Sequence, residues 1–329
     1  MTSRESPAWQ TVEPPAHNTL YGVTVFASGA VAVGESGVVF GRPNGEPWQA
    51  VVERGPSGSS RNLEAVDATD DGARVWFAGN SGAVGSYDVA AGVKRDFSEI
   101  DGIDADWHDV AVTGPANDET VSLATDEGAI LRLHVADQSL EIGEFVRPPT
   151  LASGLAGIET LPDGRLVALS TGGRLFVTRN REQWTTLELQ PDEFADVGTD
   201  GDAVYTIRAP GEGYCYEAGA TVSFPFGQPS LRAVDAAAGR VVAVGTGGGV
   251  FRRAPDGWVY ITTDNDCTLR DVSVVPPDAN GDARDVAVGD AGTILERGGL
   301  PEGSGNWGEP PDEAEEARDL PDENSAGLA

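Results

Sequence analysis

Polar and aromatic side chains recur at equivalent points along the sequence. Each directly follows a large apolar residue that opens an apolar run: Tyr21, Glu64, His108, Arg232 and Arg270. In three of the repeats an aspartate stands two places after the apolar residue that opens the run: Asp109, Asp196 and Asp271. Hydroxyl, imidazole, carboxylate and guanidinium groups gathered at one end of several strands would form a polar binding rim. The alternative is that each residue only bonds to a neighbouring strand or lies in solvent.

No catalytic or metal-binding pattern accompanies these residues. His17, His108 and His134 stand at no recognisable ligand spacing from Cys215 or Cys267. No Gly-x-Ser-x-Gly elbow and no cysteine–histidine pair is present. The sequence therefore predicts a protein without catalytic activity, metal or cofactor. The two cysteines are too far apart in the repeat pattern for a disulfide, so we expect two free thiols.

The elements that must position the rim follow from an internal repeat. Seven apolar starts stand roughly 37 to 48 residues apart: Leu20, Leu63, Trp107, Leu155, Phe194, Leu231 and Leu269. After each start, a second apolar run closes on a glycine turn, as at residues 32–37, 243–248 and 287–292. Glycine suits the positive φ of a hairpin tip, so each unit predicts four antiparallel strands and the whole predicts a seven-bladed β-propeller.

The outer part of several units carries a polar turn and then a tryptophan, at residues 41–48, 178–184 and 254–258. Together with the Ala-Val-Gly-x-x-Gly turns, this pattern resembles the bacterial-neuraminidase-repeat (Asp-box) propellers, in particular the branch that includes photosystem II assembly factors. The resemblance covers residues 9 to 299 and implies an all-β fold. Its sialidase members carry an arginine-isoleucine-proline segment near the start, which this sequence lacks.

The seventh unit predicts how the ring closes. No tryptophan-bearing fourth strand follows residues 292–297, whereas residues 7–12, ahead of the first start, read like the fourth strands elsewhere. We therefore expect the N-terminal strand to complete the last blade, which removes the exposed sheet edges of an open ring. Deleting residues 1–13 should then lower stability.

The composition changes after the last repeat. We predict a propeller over residues 1–299 and an acidic, flexible tail over residues 300–329. Trp307 is the exception in this tail, since an aromatic side chain there could dock on the propeller or on a partner.

Acidic residues dominate the surface chemistry. The chain has 53 acidic and 22 basic residues, for a net charge of −31. Salt screens such self-repulsion, so we expect a halophilic source, of the archaeal type, with a salt-rich cytoplasm. Clustered cations are lacking, which argues against nucleic acid. No apolar leader and no membrane span is apparent, so we expect a cytoplasmic protein.

Two hypotheses of function remain. The first is a non-catalytic scaffold that binds a protein partner through its channel face and its longer connections at residues 55–62, 100–106 and 146–154, as a monomer or within a larger assembly. The second is a carbohydrate-active (sialidase- or glycosidase-like) or small acidic-ligand-binding propeller, with Arg232 and Arg270 as carboxylate clamps. We prefer the first.

Overall fold

The computed structural model describes residues 8–298 with short gaps, together with Trp307 and Gly308. The gaps are residues 99, 101–102, 137–138, 150, 152, 181–182, 190–192, 202, 209–210, 218, 227–229, 255–256 and 277–283. Most of the predicted tail, residues 300–306 and 309–329, lies outside the described residues. The division of the chain at residue 299 remains a prediction.

Seven four-stranded antiparallel sheets form the blades of the predicted propeller. Blade 1 consists of β2 (Leu20–Phe26), β3 (Gly29–Gly34), β4 (Val39–Pro43) and β5 (Gln49–Val52). Blade 2 consists of β6 (Leu63–Ala68), β7 (Arg74–Gly79), β8 (Val84–Asp88) and β9 (Val93–Asp96). Blade 3 consists of β10 (Trp107–Thr113), β11 (Asp118–Thr125), β12 (Ile130–Ala136) and β13 (Ser139–Ile142).

The remaining blades repeat this order. Blade 4 consists of β14 (Leu155–Thr160), β15 (Leu166–Ser170), β16 (Arg174–Asn180) and β17 (Gln183–Glu188). Blade 5 consists of β18 (Phe194–Asp200), β19 (Ala203–Arg208), β20 (Glu212–Glu217) and β21 (Ala220–Pro225). Blade 6 consists of β22 (Leu231–Ala237), β23 (Arg240–Gly245), β24 (Val250–Ala254) and β25 (Gly257–Ile261). Blade 7 consists of β26 (Leu269–Val274), β27 (Asp285–Gly289), β28 (Ile294–Arg297) and β1 (Trp9–Val12).

Blade 7 closes the ring as expected. The N-terminal strand β1 pairs antiparallel with β28, from Trp9 opposite Arg297 to Val12 opposite Ile294. Trp9 is buried and packs in one apolar cluster with Leu295 and residues of blade 6. The first and last strands of the propeller are therefore hydrogen-bonded neighbours, and the prediction of closure by the N-terminal strand is confirmed.

The apolar core lies mainly between the blades. The seven innermost strands contact one another in a closed circle, and the buried side chains form clusters that join neighbouring blades, such as Trp76 of blade 2 with Trp107 and Leu123 of blade 3. Polar contacts add to this packing. The guanidinium of Arg74 in blade 2 pairs with the carboxylate of Glu119 in blade 3, where both side chains are almost completely buried.

Every innermost strand begins with the same irregularity. In all seven blades the pairing of the first two strands breaks between the apolar start and the residue two places on, for example between Leu269 and Asp271. Such a β-bulge leaves one residue unpaired and turns its side chain away from the regular alternation. The bulged residue in each blade is the position at which the sequence predicts the rim.

The glycine turns serve close backbone packing. Gly37 has φ of +76°, and a Cβ there would lie 2.6 Å from the backbone nitrogen of Gly55. In the similar turn of blade 6, the Gly248 N–H donates to the Cys267 carbonyl at 2.8 Å, so this amide is already used within the fold.

The described residues contain no helix long and apolar enough to cross a membrane.

Candidate binding rim and central channel

The bulges bring the predicted rim residues together at the end of the ring where the innermost strands start. Arg270 of blade 7 lies over the ring of Tyr21 of blade 1, with its Cζ atom 5.3 Å from the ring centre. Asp290 holds this guanidinium in place, at 2.5 Å from Arg270 Nε. Burial raises the pKa of Tyr21, and the nearby Glu64 and Glu35 carboxylates raise it further. The tyrosine is therefore neutral at ordinary pH.

The rim residues of blades 2 and 3, Glu64 and His108, also have charged or polar neighbours. Burial raises the pKa of the Glu64 carboxyl, while His108 and a hydrogen bond with Asn80 oppose the rise. His108 Nδ1 lies 3.3 Å from Asp126 Oδ1, and Nε2 lies 3.4 Å from the carbonyl oxygen of Ala156 in blade 4. The imidazole is thus positioned by a carboxylate on one side and by the next blade on the other.

The rim is asymmetric around the ring. Its polar and aromatic residues come from five consecutive blades, 6, 7, 1, 2 and 3: Arg232, Arg270, Tyr21, Glu64 and His108. Blades 4 and 5 present Ala156 and Ala195 at the same position. His108 and Arg232 are exposed and the other three are half-buried. The five residues form what we call the polar arc.

The aspartates that follow the bulge lie in the channel wall and not on the polar arc. Asp271 Oδ2 accepts a hydrogen bond from the Val23 N–H of blade 1 at 2.7 Å. Asp109 Oδ2 accepts from Ile158 of blade 4 at 2.7 Å, and Asp196 Oδ2 accepts from Val234 of blade 6 at 2.9 Å. Asp109 and Asp271, which the sequence analysis names as binding residues, thus each bond to a neighbouring blade, and their role in binding stays a prediction.

A second set of channel carboxylates was missed by the sequence reasoning. Two residues deeper along the innermost strands stand Asp67, Glu159 and Asp235. Asp67 Oδ2 accepts from the Val112 N–H of blade 3 at 2.7 Å, and Asp235 Oδ2 accepts from the Val274 N–H of blade 7 at 2.6 Å. The sequence pattern that marks this set is an acidic residue four places after the apolar start in blades 2, 4 and 6.

The two sets alternate around the channel. Blades 3, 5 and 7 carry the acid two places after the start, and blades 2, 4 and 6 carry it four places after the start. The other position of each blade holds a small residue: Ala65, Gly157, Ala233, Ala111, Gly198 and Ser273. A Cβ at Gly157 would lie 3.1 Å from Asp196 Oδ1 and 3.4 Å from Asp109 Oδ2. Small residues therefore provide the space that the neighbouring carboxylates occupy.

The channel environment favours the protonated carboxyl groups. Burial is the main cause that raises the pKa of Asp67, Asp235 and Asp271 to about 7. Burial also raises the pKa of Asp109, and raises the pKa values of Glu159 and Asp196 well above the usual range. Neighbouring carboxylates add to the effect in the channel, while backbone N–H donors oppose it.

Metal-binding geometry is not found in the part of the chain that the structure describes, where no group of three or more His, Cys, Asp or Glu residues could hold an ion. Cys215 and Cys267 are both free thiols, as expected.

Trp307 of the predicted tail lies against blades 1 and 2, at the end of the ring opposite the polar arc.

Comparison with known proteins defines the class by its fold. No protein-family model and no curated protein matches the sequence. Solved structures that match include YCF48 from Cyanidioschyzon merolae, with 15% identity, a TM-score of 0.67 and coverage of 88% of this chain and 98% of that one. They also include YCF48 bound to D1 peptide, with 14% identity, a TM-score of 0.64 and coverage of 90% and 99%.

Two other matches belong to different proteins. Virginiamycin B lyase from Staphylococcus aureus has 12% identity, a TM-score of 0.72 and coverage of 88% of this chain and 98% of that one. The WD40 β-propeller domain of Doa1 has 12% identity, a TM-score of 0.70 and coverage of 93% and 100%. The chain is a seven-bladed β-propeller, similar in fold to YCF48 and to WD40 propellers.

Proposed function

We propose that this propeller is a non-catalytic scaffold that binds an extended segment of a partner protein across its polar arc. The observation that carries the proposal is the asymmetry of the rim. Five consecutive blades present polar or aromatic bulge residues, while blades 4 and 5 present Ala156 and Ala195. An elongated ligand contacts an arc of a ring, whereas a purely structural rim has no need of such a division.

The arc offers preformed contacts for a peptide. Because Asp290 holds the Arg270 guanidinium over Tyr21, this pair presents a rigid flat surface at little entropic cost. The exposed Arg232 stands at one end of the arc and can donate hydrogen bonds to a partner's carbonyl or carboxylate oxygens. At the other end, the exposed His108 ring is held by Asp126 and Ala156 and offers a flat contact surface.

The longer connections contribute to the same face. Gly55 N–H donates to the Gly37 carbonyl at 2.7 Å, and Gly82 N–H donates to the Ala105 carbonyl at 2.8 Å. The Thr171 N–H likewise donates to the Gly154 carbonyl at 3.0 Å. The described parts of residues 55–62, 100–106 and 146–154 therefore pack on the turns beside the polar arc. The fold's compatibility with peptide binding is illustrated by YCF48 bound to D1 peptide.

Affinity capture with matched variants tests the proposal. The tagged full chain is used in high-salt lysate of its source organism as wild type, as His108→Ala with Arg232→Ala, and as His134→Ala. His134 is a suitable control because its side chain is 41% exposed and lies beside Asp118, whereas that of His108 is 42% exposed and lies beside Asp126. We expect the rim variant to lose a stoichiometric partner that wild type and His134→Ala retain.

Retention of that partner by the folded rim variant would contradict the polar arc as the site. A wild-type protein that captures no partner would contradict the scaffold function itself. Thermal unfolding of each variant shows that a loss of capture is not a loss of fold.

The second candidate function uses the same face for a small acidic or carbohydrate ligand. The observation that favours it is the His108–Asp126 pair, since a histidine oriented by a carboxylate is suited to proton transfer. The pairing of Arg270 with Asp290 argues against a pair of carboxylate clamps, because one guanidinium already has a carboxylate partner. If sialic acid, uronic acids and other acidic sugars all leave the melting temperature unchanged at saturating concentration, this candidate is excluded.

A further inference from the structure

A groove between blades 1 and 2 holds the side chain of Trp307. Its ring is stacked on Phe26, with 5.9 Å between ring centres and 13° between the planes. Tyr87 of blade 2 borders the ring at 6.2 Å with a tilt of 43°. Phe26 ends β2, so the groove lies at the end of the ring opposite the polar arc. One aromatic residue from each blade thus contacts the tryptophan.

Two glycines of blade 1 border the indole. A Cβ at Gly41 would lie 2.5 Å from Trp307 Cζ3. A Cβ at Gly29 would lie 2.9 Å from Trp307 Cζ2, but it would already collide with the backbone oxygen of Arg42 at 2.3 Å. Neither glycine has a positive φ. Gly41 is therefore placed where any side chain would collide with the ring, and not where the backbone needs a left-handed conformation.

Polar contacts fix both the tryptophan and the residue after it. The indole Nε1–H donates to the Ser28 carbonyl at 3.2 Å. The Gly308 N–H donates to the Val89 carbonyl of blade 2 at 3.0 Å. A side chain at position 308 would collide with the backbone of Ala91 and Gly92. The groove therefore fits the sequence Trp-Gly. Its aromatic slot holds the indole, two hydrogen bonds fix the dipeptide, and close backbone contact leaves no room for a side chain after the tryptophan.

We propose that this groove is a recognition site for a Trp-Gly segment, which here is supplied by the chain's own Trp307 and Gly308. All the contacts described above come from blades 1 and 2, whereas the chain leaves the propeller at the end of β28 in blade 7. The bound dipeptide is thus a tethered ligand, and the groove should bind the same sequence when it is supplied on a separate peptide. This site is independent of the polar arc and of the proposed partner there.

Peptide binding to the full-length Trp307→Ala chain tests the proposal. The probe is a fluorescein-labelled peptide of residues 303–310, Gly-Ser-Gly-Asn-Trp-Gly-Glu-Pro, followed by fluorescence anisotropy. We expect saturable binding, and no binding of the same peptide with alanine in place of tryptophan. The wild-type chain should bind the probe about tenfold or more weakly, because its own tail competes at an effective concentration near the millimolar range.

Matched variants separate the groove from other surfaces. The double variant Gly41→Ala with Trp307→Ala should not bind the peptide, because the added methyl fills the slot. Equal affinity of the peptide for wild type and Trp307→Ala would overturn the proposal, as would the absence of binding to a folded Trp307→Ala chain at millimolar peptide.

A second measurement does not depend on Trp307→Ala folding. In the otherwise wild-type chain, Gly41→Ala should expel Trp307 and so accelerate hydrogen exchange at the Gly308 amide, measured on a peptide that contains it. Unchanged protection of that amide in Gly41→Ala would likewise overturn the proposal.

Discussion

At the scale of single residues, the channel carboxylates provide hydrogen bonds between neighbouring blades. Innermost strands of neighbouring blades do not pair through their backbones, so their inner N–H groups need other acceptors. Asp67, Asp109, Asp196, Asp235 and Asp271 supply these acceptors across five of the blade junctions. Each carboxyl group therefore acts as a side-chain link between two sheets.

Protonation of these groups predicts an unusual pH dependence of stability. The folded-state pKa of Asp235 is raised to about 7, above that of the unfolded chain, so the folded state binds more protons between these two values. Stability contributed by this group is fully present below the unfolded pKa and is lost as the pH rises through the folded pKa, by at most about 1.4 kcal/mol per pH unit. We expect the melting temperature to rise as the pH falls from 8 to 5.

Substitution shows whether the channel causes this slope. Asp235→Asn keeps the shape of the side chain but cannot titrate, so the melting temperature should vary less with pH than in wild type. An Asp235→Asn curve parallel to wild type would contradict this origin.

Asp71 provides the matched control for this substitution. Burial opposes the ionised form of Asp71, but hydrogen bonds to Thr69 and to backbone N–H groups outweigh it and lower the pKa. The stability that Asp71 contributes is therefore lost only as the pH falls below the ordinary range of an aspartate. Asp71→Asn should leave the slope between pH 8 and 5 unchanged.

Sequence reasoning reached part of this site. The residues after the seven starts can be aligned from the repeat alone, and this alignment places Tyr21, Glu64 and His108 in adjacent blades, as the folded chain has them. The hydrogen bonds of Asp109 and Asp271 could not be predicted in the same way. Which backbone N–H of the next blade faces a carboxylate depends on how far neighbouring sheets are shifted relative to each other, and the repeat does not specify this shift. Asp67 and Asp235 were missed because an acidic residue inside a strand also suits a solvent-facing position.

At the scale of elements, the strand pattern was the most predictable feature. Alternating apolar residues and glycine turns indicated the first three strands of each blade, and the absence of a seventh outer strand identified β1 as its replacement. The docking of Trp307 beneath blades 1 and 2 could be anticipated only as one of two possibilities, because Gly29 and Gly41 become a slot only when the strands are folded together.

Removal of the N-terminal strand tests the closure of the ring. Deleting residues 1–13 removes the backbone pairing with β28 and the buried Trp9 side chain, whose loss alone should cost about 3–5 kcal/mol. The bare edge of β28 should also promote self-association. Thermal unfolding and size-exclusion chromatography measure the two effects. Deleting only residues 1–7 is the control, and equal melting temperatures for both deletions would refute closure by β1.

At the scale of the whole molecule, charge sets the conditions for stability. A net charge of −31 on one chain produces strong self-repulsion at low ionic strength. Only part of the acidic surface is paired with arginine in the described residues, as at Arg174 with Glu188. This balance is what a protein adapted to a salt-rich cytoplasm would need, a setting that we propose for this chain.

Salt titration tests this adaptation. We expect the melting temperature to rise steadily with KCl, with most of the gain by about 1 M, where the Debye length falls to about 3 Å. A parallel series in sucrose controls for general solute effects, since sucrose does not screen charge. A melting temperature that is insensitive to KCl would contradict a stability limited by charge repulsion.

The alternation of channel acids has a consequence for the number of blades. A two-state pattern can repeat around a ring without a fault only if the ring has an even number of members. This ring has seven blades, and the alternation is interrupted at blade 1. There Gly22 stands two places and Thr24 four places after the start, and neither is acidic. Because seven is odd, the pattern must break at least once around the ring, and in this chain blade 1 is the blade that lacks a channel acid.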